Sequence, residues 1–375
     1  MPATYDVAVV GLGAVGSAAT EALACRGLRV IGLDRFRPPH PFGSTHGRSR
    51  IIREAYYESP AYVPLVQRAY REWDRLAAAS GRTLLRQTGG LMLGAPDGEL
   101  IAGARLSAES HRLPHDLLDT GELRRRFPHL RVMDGTVAVW EPRAGFLDPE
   151  ACVSACLELA VRGGAELRLE TPADDWRPEG DSIRLTAGAE RISCGTMILA
   201  AGPWLPGLLG RFLPPLVVER QVMWWFRPAS RASAFTADHH PVFIWEWENG
   251  RFFYGIPDHG HGVKVAVHHE GRPADPDRVE RGVSRTELDG MRNLLRRFIP
   301  DLDGEPVEHA VCLYTNTPDH HFLLGPHPDQ PRVLLASACS GHGFKFASAL
   351  GEVLADLVER GETEFDLGPF DVRRF

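Results

Sequence analysis

Tyr5-Asp6-Val7-Ala8-Val9-Val10-Gly11-Leu12-Gly13-Ala14-Val15-Gly16 decides the architecture. Tyr5 to Val10 is a short apolar run of the kind that forms a strand buried on both faces. A helical stretch rich in alanine and leucine follows and stops before Gly27, and Leu28 to Leu33 reads as a second strand closed by Asp34. This is one βαβ unit, and Asp34 lies 21 residues beyond Gly13. Each glycine has a task. Gly11 permits the tight turn, Gly13 lets backbone approach a pyrophosphate, and Gly16 lets the helix pack closely on the sheet. The helix N-terminus offers free N–H groups and partial positive charge to phosphates. Asp34 suits a ribose hydroxyl. The fingerprint indicates a dinucleotide but does not distinguish FAD from NAD.

Outward from that unit, the 375-residue chain exceeds the size at which one hydrophobic core stops growing, so two domains are expected. A hydrophobic fraction of 43% and a charged fraction of 24% describe a globular chain. The net charge of −7 gives no electrostatic footprint for nucleic acid, and the run Arg124-Arg125-Arg126 reads as a solvated face. No apolar run nears the roughly 20 residues that span a bilayer, and no basic segment precedes the first apolar run. No membrane association and a cytoplasmic location are therefore expected. The six cysteines are dispersed; Cys152 and Cys156 are four apart on an expected helix, which does not make a metal site.

Further along, helices are expected over Pro60 to Ala79, Pro149 to Arg162 and Ser284 to Phe298, with a closing helix to Arg360. Strands are expected near Ala165 to Leu169, Ser182 to Leu185, Thr196 to Ala200 and Val333 to Ala338. Between Pro215 and His269 the texture alternates, as in Gln221 to Phe226, Phe243 to Trp247 and Lys264 to His268, which suggests a mostly antiparallel sheet. The fold class is α/β at the ends and α+β overall. A Rossmann-type dinucleotide-binding domain (1–85, 145–214 and 310–375) is expected to interleave with a mostly antiparallel substrate domain (86–144 and 215–309).

Four stretches carry a resemblance: Pro38-Pro39-His40 through Gly47, Arg50-Ile51-Ile52-Arg53, Ala310-Val311-Cys312-Leu313-Tyr314-Thr315, and Ser340-Gly341-His342-Gly343-Phe344-Lys345-Phe346. With the fingerprint, the chain resembles the monomeric sarcosine oxidase and N-methyltryptophan oxidase group of the D-amino-acid-oxidase-like FAD proteins, nearly end to end. The resemblance implies FAD joined through a thioether to Cys312, with Arg50 against the flavin ring and assisting attachment. It implies cofactor contacts from Ala14, Val15, Ser44, His46, Ser49, Gly202, Trp204, Gly341, Gly343 and Phe344. Lys345 would stabilise negative charge on the reduced ring, and Arg53 with Lys345 would receive a substrate carboxylate. Lys264 would serve the oxygen reaction near flavin N5. Tyr254 and His268 would line the amine pocket, with Ile244 and Thr315 as further contacts.

The residues themselves add weight to some of these. Lys264 and His268 alternate with Val263, Val265 and Val267, so they share one face of a strand, either solvent-exposed or buried for a reason. Lys345 stands at a helix start, where a cation is disfavoured. The implied activity is oxidation of a small secondary (N-methyl) amino acid by a monomer, with oxygen reduced to peroxide. Alternatives are a cyclic amino acid or imine as substrate, or a flavin dehydrogenase with a protein acceptor. A sensor without catalysis has no need of Arg53, Lys264, Cys312 and Lys345 together, and nothing reads as a nicotinamide site. Phe243-Ile244-Trp245-Glu246-Trp247-Glu248, a short Gly260-His261-Gly262 loop, His320-His321 and Cys339 depart from the sarcosine-type pattern. The two tryptophans form either a larger aromatic pocket or core.

Overall fold

A computed structural model describes residues 4–212 and 214–375. β1 (Thr4–Val10) leads through α1 (Ala14–Cys25) to β2 (Val30–Leu33). β1 pairs in parallel with β2 on one side and with Glu190–Leu199 on the other. Glu166–Arg168 adds beside β2, and Gln330–Ser337 adds beside Glu190–Leu199, both also in parallel. Val7 to Val10 are buried on both faces, as apolar strands in a parallel sheet must be. α1 packs between the helices Pro149–Arg162 and Ala347–Arg360. The approach is close because Gly351 brings backbone to backbone: a Cβ there would meet Ala18 at 2.7 Å. A hairpin, Asp175–Glu179 with Ser182–Ala187, and the strand Leu323–His327 complete eight strands.

The second sheet has nine strands and is antiparallel except where Val242–Glu248 runs parallel to Gly90–Gly94. Near one edge, Val217–Phe226 is flanked by Val263–His268 and Pro306–Asn316. One face rests on a core that includes Trp224, Phe226, Phe243, Trp245 and Phe253 together with the helix Arg285–Phe298. Ser284 caps that helix through a capping box with Glu287. A small third sheet joins β3 (Arg50–Ile52) to Gly145–Leu147 and Leu85–Gln87.

Two local outcomes refine the reading of the sequence. The helix expected from Pro60 opens as a 3₁₀ turn over Pro60–Tyr62, because Ser59 accepts the Ala61 amide; α2 proper spans Val63–Ser80. Gly81 stops it in a left-handed conformation, φ 69°. The boundary expected at residue 310 lies inside the strand Pro306–Asn316, which pairs along its length with Val217–Phe226. Cys312 is thus delivered from the antiparallel sheet.

Candidate active site

One cavity of about 490 Å³ connects the βαβ turn to the face of the antiparallel sheet. At one end it is lined by Asp34, Arg35, His40, Trp204 and Asp277; at the other by Arg50, Tyr254, His268, Cys312, Tyr314 and Lys345. Its middle is the glycine turn. Gly11 has φ 90°, and a Cβ there would lie 2.5 Å from the Ala200 carbonyl oxygen. A Cβ on Gly16 would strike the Gly11 oxygen at 1.7 Å, whereas Gly13 has only the Thr45 hydroxyl near it, at 3.5 Å. Gly13 therefore leaves room for a ligand where its two partners leave none. Gly13 lends α1 no capping side chain and its first turn carries no acid; the Ala14 amide donates to the Thr45 hydroxyl at 3.3 Å, and the helix dipole suits phosphate. Asp34 is buried and accepts the amides of Leu12 at 2.7 Å and Phe36 at 2.8 Å, which aims its carboxylate into the cavity's end. Arg35 lies over Trp204, 4.9 Å from its ring, beside Phe36. These features fit a dinucleotide: a phosphate cradle, a ribose acceptor and an aromatic end.

At the other end, Cys312 Sγ lies 3.6 Å from the Arg50 guanidinium and 3.5 Å from the Ser44 carbonyl. Ser44 Oγ donates to the Leu313 carbonyl, tying the Pro-rich loop to the cysteine's strand. Tyr254, on the strand Arg251–Ile256, has its hydroxyl pushed up to about 12 by burial. His268 Nδ1 faces the Tyr314 hydroxyl at 3.3 Å, and burial holds the imidazole well below its ordinary range. Gly341, φ 76°, is required here, since a Cβ would meet Tyr314 at 2.6 Å and His268 at 2.7 Å.

Three charges converge deeper in. Arg53 is buried, stacks 4.2 Å from the Tyr56 ring and holds Glu58 in a fork, at 3.0 and 2.7 Å. Burial opposes ionisation of Glu58, but Arg53, with His342 and Lys345, outweighs it and keeps the carboxyl below its usual range. Arg53 Nε has no hydrogen-bond partner among the described residues. Lys345 Nζ donates to the His342 carbonyl at 2.7 Å and the Tyr56 hydroxyl at 3.3 Å; burial and Arg53 push it down to about 7. It folds inward from a 3₁₀ turn, Phe344–Phe346, that precedes the closing helix.

Most residues named from sequence line this cavity: Gly11, Gly13, Ala14, Val15, Asp34, Ser44, Arg50, Arg53, Gly202, Trp204, Ile244, Tyr254, His268, Cys312, Gly341, Gly343, Phe344 and Lys345. Gly16, His46, Ser49, Lys264 and Thr315 do not. Three of those five are nonetheless buried with an unspent polar atom among the described residues: His46 Nε2, Ser49 Oγ and Thr315 Oγ1. Lys264 is wholly buried, donating to the carbonyls of Gly47 at 2.9 Å and Ser49 at 2.7 Å. Its face of the strand is therefore not a solvated one. Glu58, Gln221, Met223, Tyr314 and His342 also line the cavity and were not singled out from the sequence. Trp245 and Trp247 do not line it: Trp245 is core against Phe253 and Phe298, and Trp247 packs on Phe253 beneath Arg251. Glu246 is likewise architectural, accepting the Leu100 and Gly250 amides at 3.0 and 3.1 Å. One compositional signal went unused. Of 42 lysines and arginines only two are lysines, Lys264 and Lys345, and both are buried at this site.

Residues 6–357 match the family described as FAD dependent oxidoreductase (DAO). The chain is 43% identical to monomeric sarcosine oxidase from Streptomyces avermitilis, over 100% of this chain and 98% of that one. It is 33% identical to N-methyl-L-tryptophan oxidase from Yersinia pestis, over 99% of each. Among solved structures, L-proline dehydrogenase from P. horikoshii superposes with a TM-score of 0.87 at 22% identity, covering 100% and 98% of the two chains. NikD, an unusual amino acid oxidase of nikkomycin biosynthesis, superposes with a TM-score of 0.85 at 25% identity, covering 98% and 97%. Fold, cradle geometry and full-length similarity agree: the chain belongs to the FAD dependent oxidoreductase family.

Proposed function

We propose that this protein oxidises a small secondary amino acid, an N-methyl amino acid in the first instance, and that FAD is joined to Cys312. The observation that carries the reading is one continuous cavity, with a phosphate cradle at its middle and buried cations around Cys312 at one end. Bound FAD would take two electrons from the C–N unit of the substrate and deliver them to oxygen as peroxide. The chain's own residues supply the remainder. Arg53 and Lys345 receive the substrate carboxylate, drawing Arg53's fork away from Glu58. His268, held neutral by burial, offers the amine a hydrogen-bond partner without adding charge, which suits the free amine whose electron pair assists oxidation. Tyr254, Tyr314 and Ile244 close the pocket around the amine. Arg50, 3.6 Å from Sγ, stabilises the negative charge that develops on Cys312 during attachment. Lys345 places positive charge at the ring end, in a site shielded from water. Lys264 serves the oxygen step, its ammonium held behind the 47–49 turn.

The relatives named for sarcosine and N-methyl-L-tryptophan oxidation support this substrate class. The test is peroxide release from sarcosine, larger N-methyl amino acids and cyclic amino acids, with wild type and Arg53→Met compared. Wild-type turnover should fall about 100-fold in Arg53→Met for any carboxylate substrate, the cost of one bidentate charged contact. Turnover of amines lacking a carboxylate, at equal rate in both proteins, would overturn the assignment.

A further inference from the structure

Lys264 has an unusual environment for a buried cation: its visible partners are two neutral carbonyls, Gly47 and Ser49, in one tight turn. That turn is held from its other side by a carboxylate. Glu150 Oε1 accepts the Gly47 amide at 2.7 Å and the Arg48 amide at 3.2 Å, and Oε2 accepts the Arg48 amide at 3.1 Å. Successive N–H groups converging on one anion form a backbone nest. Gly47 and Arg48 both have positive φ, 96° and 65°, a conformation disfavoured for arginine that the carboxylate's grip sustains. One peptide, Gly47–Arg48, thus points its N–H at the negative charge and its C=O at the positive one. We propose that Glu150 is the positioning residue and charge partner of Lys264, acting through the backbone of the 47–49 turn.

The remaining groups around Lys264 sharpen the case. Arg50 and Arg48 oppose its charge, and Lys264 in turn depresses His46 on the turn and His259 ahead of its own strand. The Trp225 ring lies 5.4 Å from Nζ, and Cys312 stands on the far side of Trp225's strand. Glu150 and Cys312 are the groups that favour the ammonium, while burial pushes it well below its ordinary range. Arg48 is itself engaged by Glu308 at 2.5 Å, so Glu150 is not spent on Arg48's guanidinium. The Gly47–Arg48 peptide dipole, lying between the two charges, transmits the preference. Removal of the carboxylate leaves Lys264 facing two arginines and disfavours its protonated form.

The relevance to oxygen chemistry rests on the reading of Lys264 given above; the charge coupling does not. Because the chain has two lysines, protein carrying ¹³Cε,¹⁵Nζ-lysine shows two side-chain signals, assigned by Lys264→Met. Holoenzyme should be titrated as wild type, Glu150→Gln and Glu150→Asp. The Lys264 midpoint should fall by about one pH unit in Glu150→Gln. It should recover in part in Glu150→Asp, while Lys345 stays unmoved. The alkaline limb of the reoxidation rate should move to lower pH by the same amount. An unchanged Lys264 midpoint in both variants would overturn the coupling. A Lys264→Met protein that reoxidises like wild type would sink the oxygen role alone, leaving the titration to decide the pairing.

Discussion

The two sheets meet at one cavity and contribute to it by different means. The parallel sheet works with backbone: Gly11, Gly13 and Gly16 set clearances, α1 turns its uncharged N-terminus to the cavity, and Asp34 is held inward by two amides. The antiparallel sheet works with side chains, bringing Lys264, His268, Tyr254 and Cys312 from neighbouring strands to one face. Backbone geometry holds a group that every member of a broad family shares. Side chains on alternating strand positions can be exchanged singly without disturbing that cradle.

Substitutions should separate along that line. The largest effect is expected for Lys264→Met. Removing a buried charge placed for the reacting centre typically costs 10²–10³-fold, and it should fall on reoxidation by oxygen while reduction by substrate and flavin content persist. Stopped-flow measurement of the two half-reactions checks this, and equal losses in both would dissolve the distinction. Gly11→Ala should do the reverse. Its strained φ and the 2.5 Å contact with Ala200 should cost about 1–3 kcal/mol and lower flavin content, read from the melting temperature and the absorbance ratio. Flavin retained in that variant should still react at wild-type rates.

A smaller effect concerns pH. Lys345 is pushed down to about 7, so its ammonium is present below that value and lost above it. Carboxylate binding favours the ammonium form; affinity for a small carboxylate lacking the amine should therefore weaken above pH 7, by up to about tenfold per unit. A flat binding curve from pH 6 to 9 would remove Lys345 from carboxylate recognition. The smallest effect belongs to Trp247→Phe, which should leave the substrate profile unchanged, since Trp247 packs on Phe253 outside the cavity. A changed ratio of sarcosine to bulky N-methyl substrates would place that strand end in the pocket.

Legibility followed the same division. The βαβ unit could be read from residues alone, because glycine spacing, apolar strand and terminal Asp34 each have a local physical cause. Helix starts at Pro149 and Ser284 were equally local, being capping chemistry. The chemical face was legible chiefly through resemblance, since strands distant in sequence assemble it. Alternation placed Lys264 and His268 on one face but could not say that the face was buried. Glu58 escaped notice because its partner Arg53 is five residues away across a bend, not at helical spacing. Glu150 escaped because a carboxylate in the first turn of a helix already has an ordinary use. The tryptophans were ambiguous for the converse reason: an aromatic on a strand serves core and pocket alike. The scarcity of lysine was visible throughout: the chain meets its surface needs with arginine, and its two lysines, Lys264 and Lys345, are both buried.

The most direct test of the central claim, one cavity holding FAD with Cys312 at its ring end, is acid precipitation of the purified protein. The account predicts that yellow, fluorescent flavin stays with the precipitated chain, and that Cys312→Ala releases it or fails to load. Flavin found wholly in the supernatant of fully loaded wild type would contradict the Cys312 linkage, and acid-stable flavin in Cys312→Ala would place the link elsewhere.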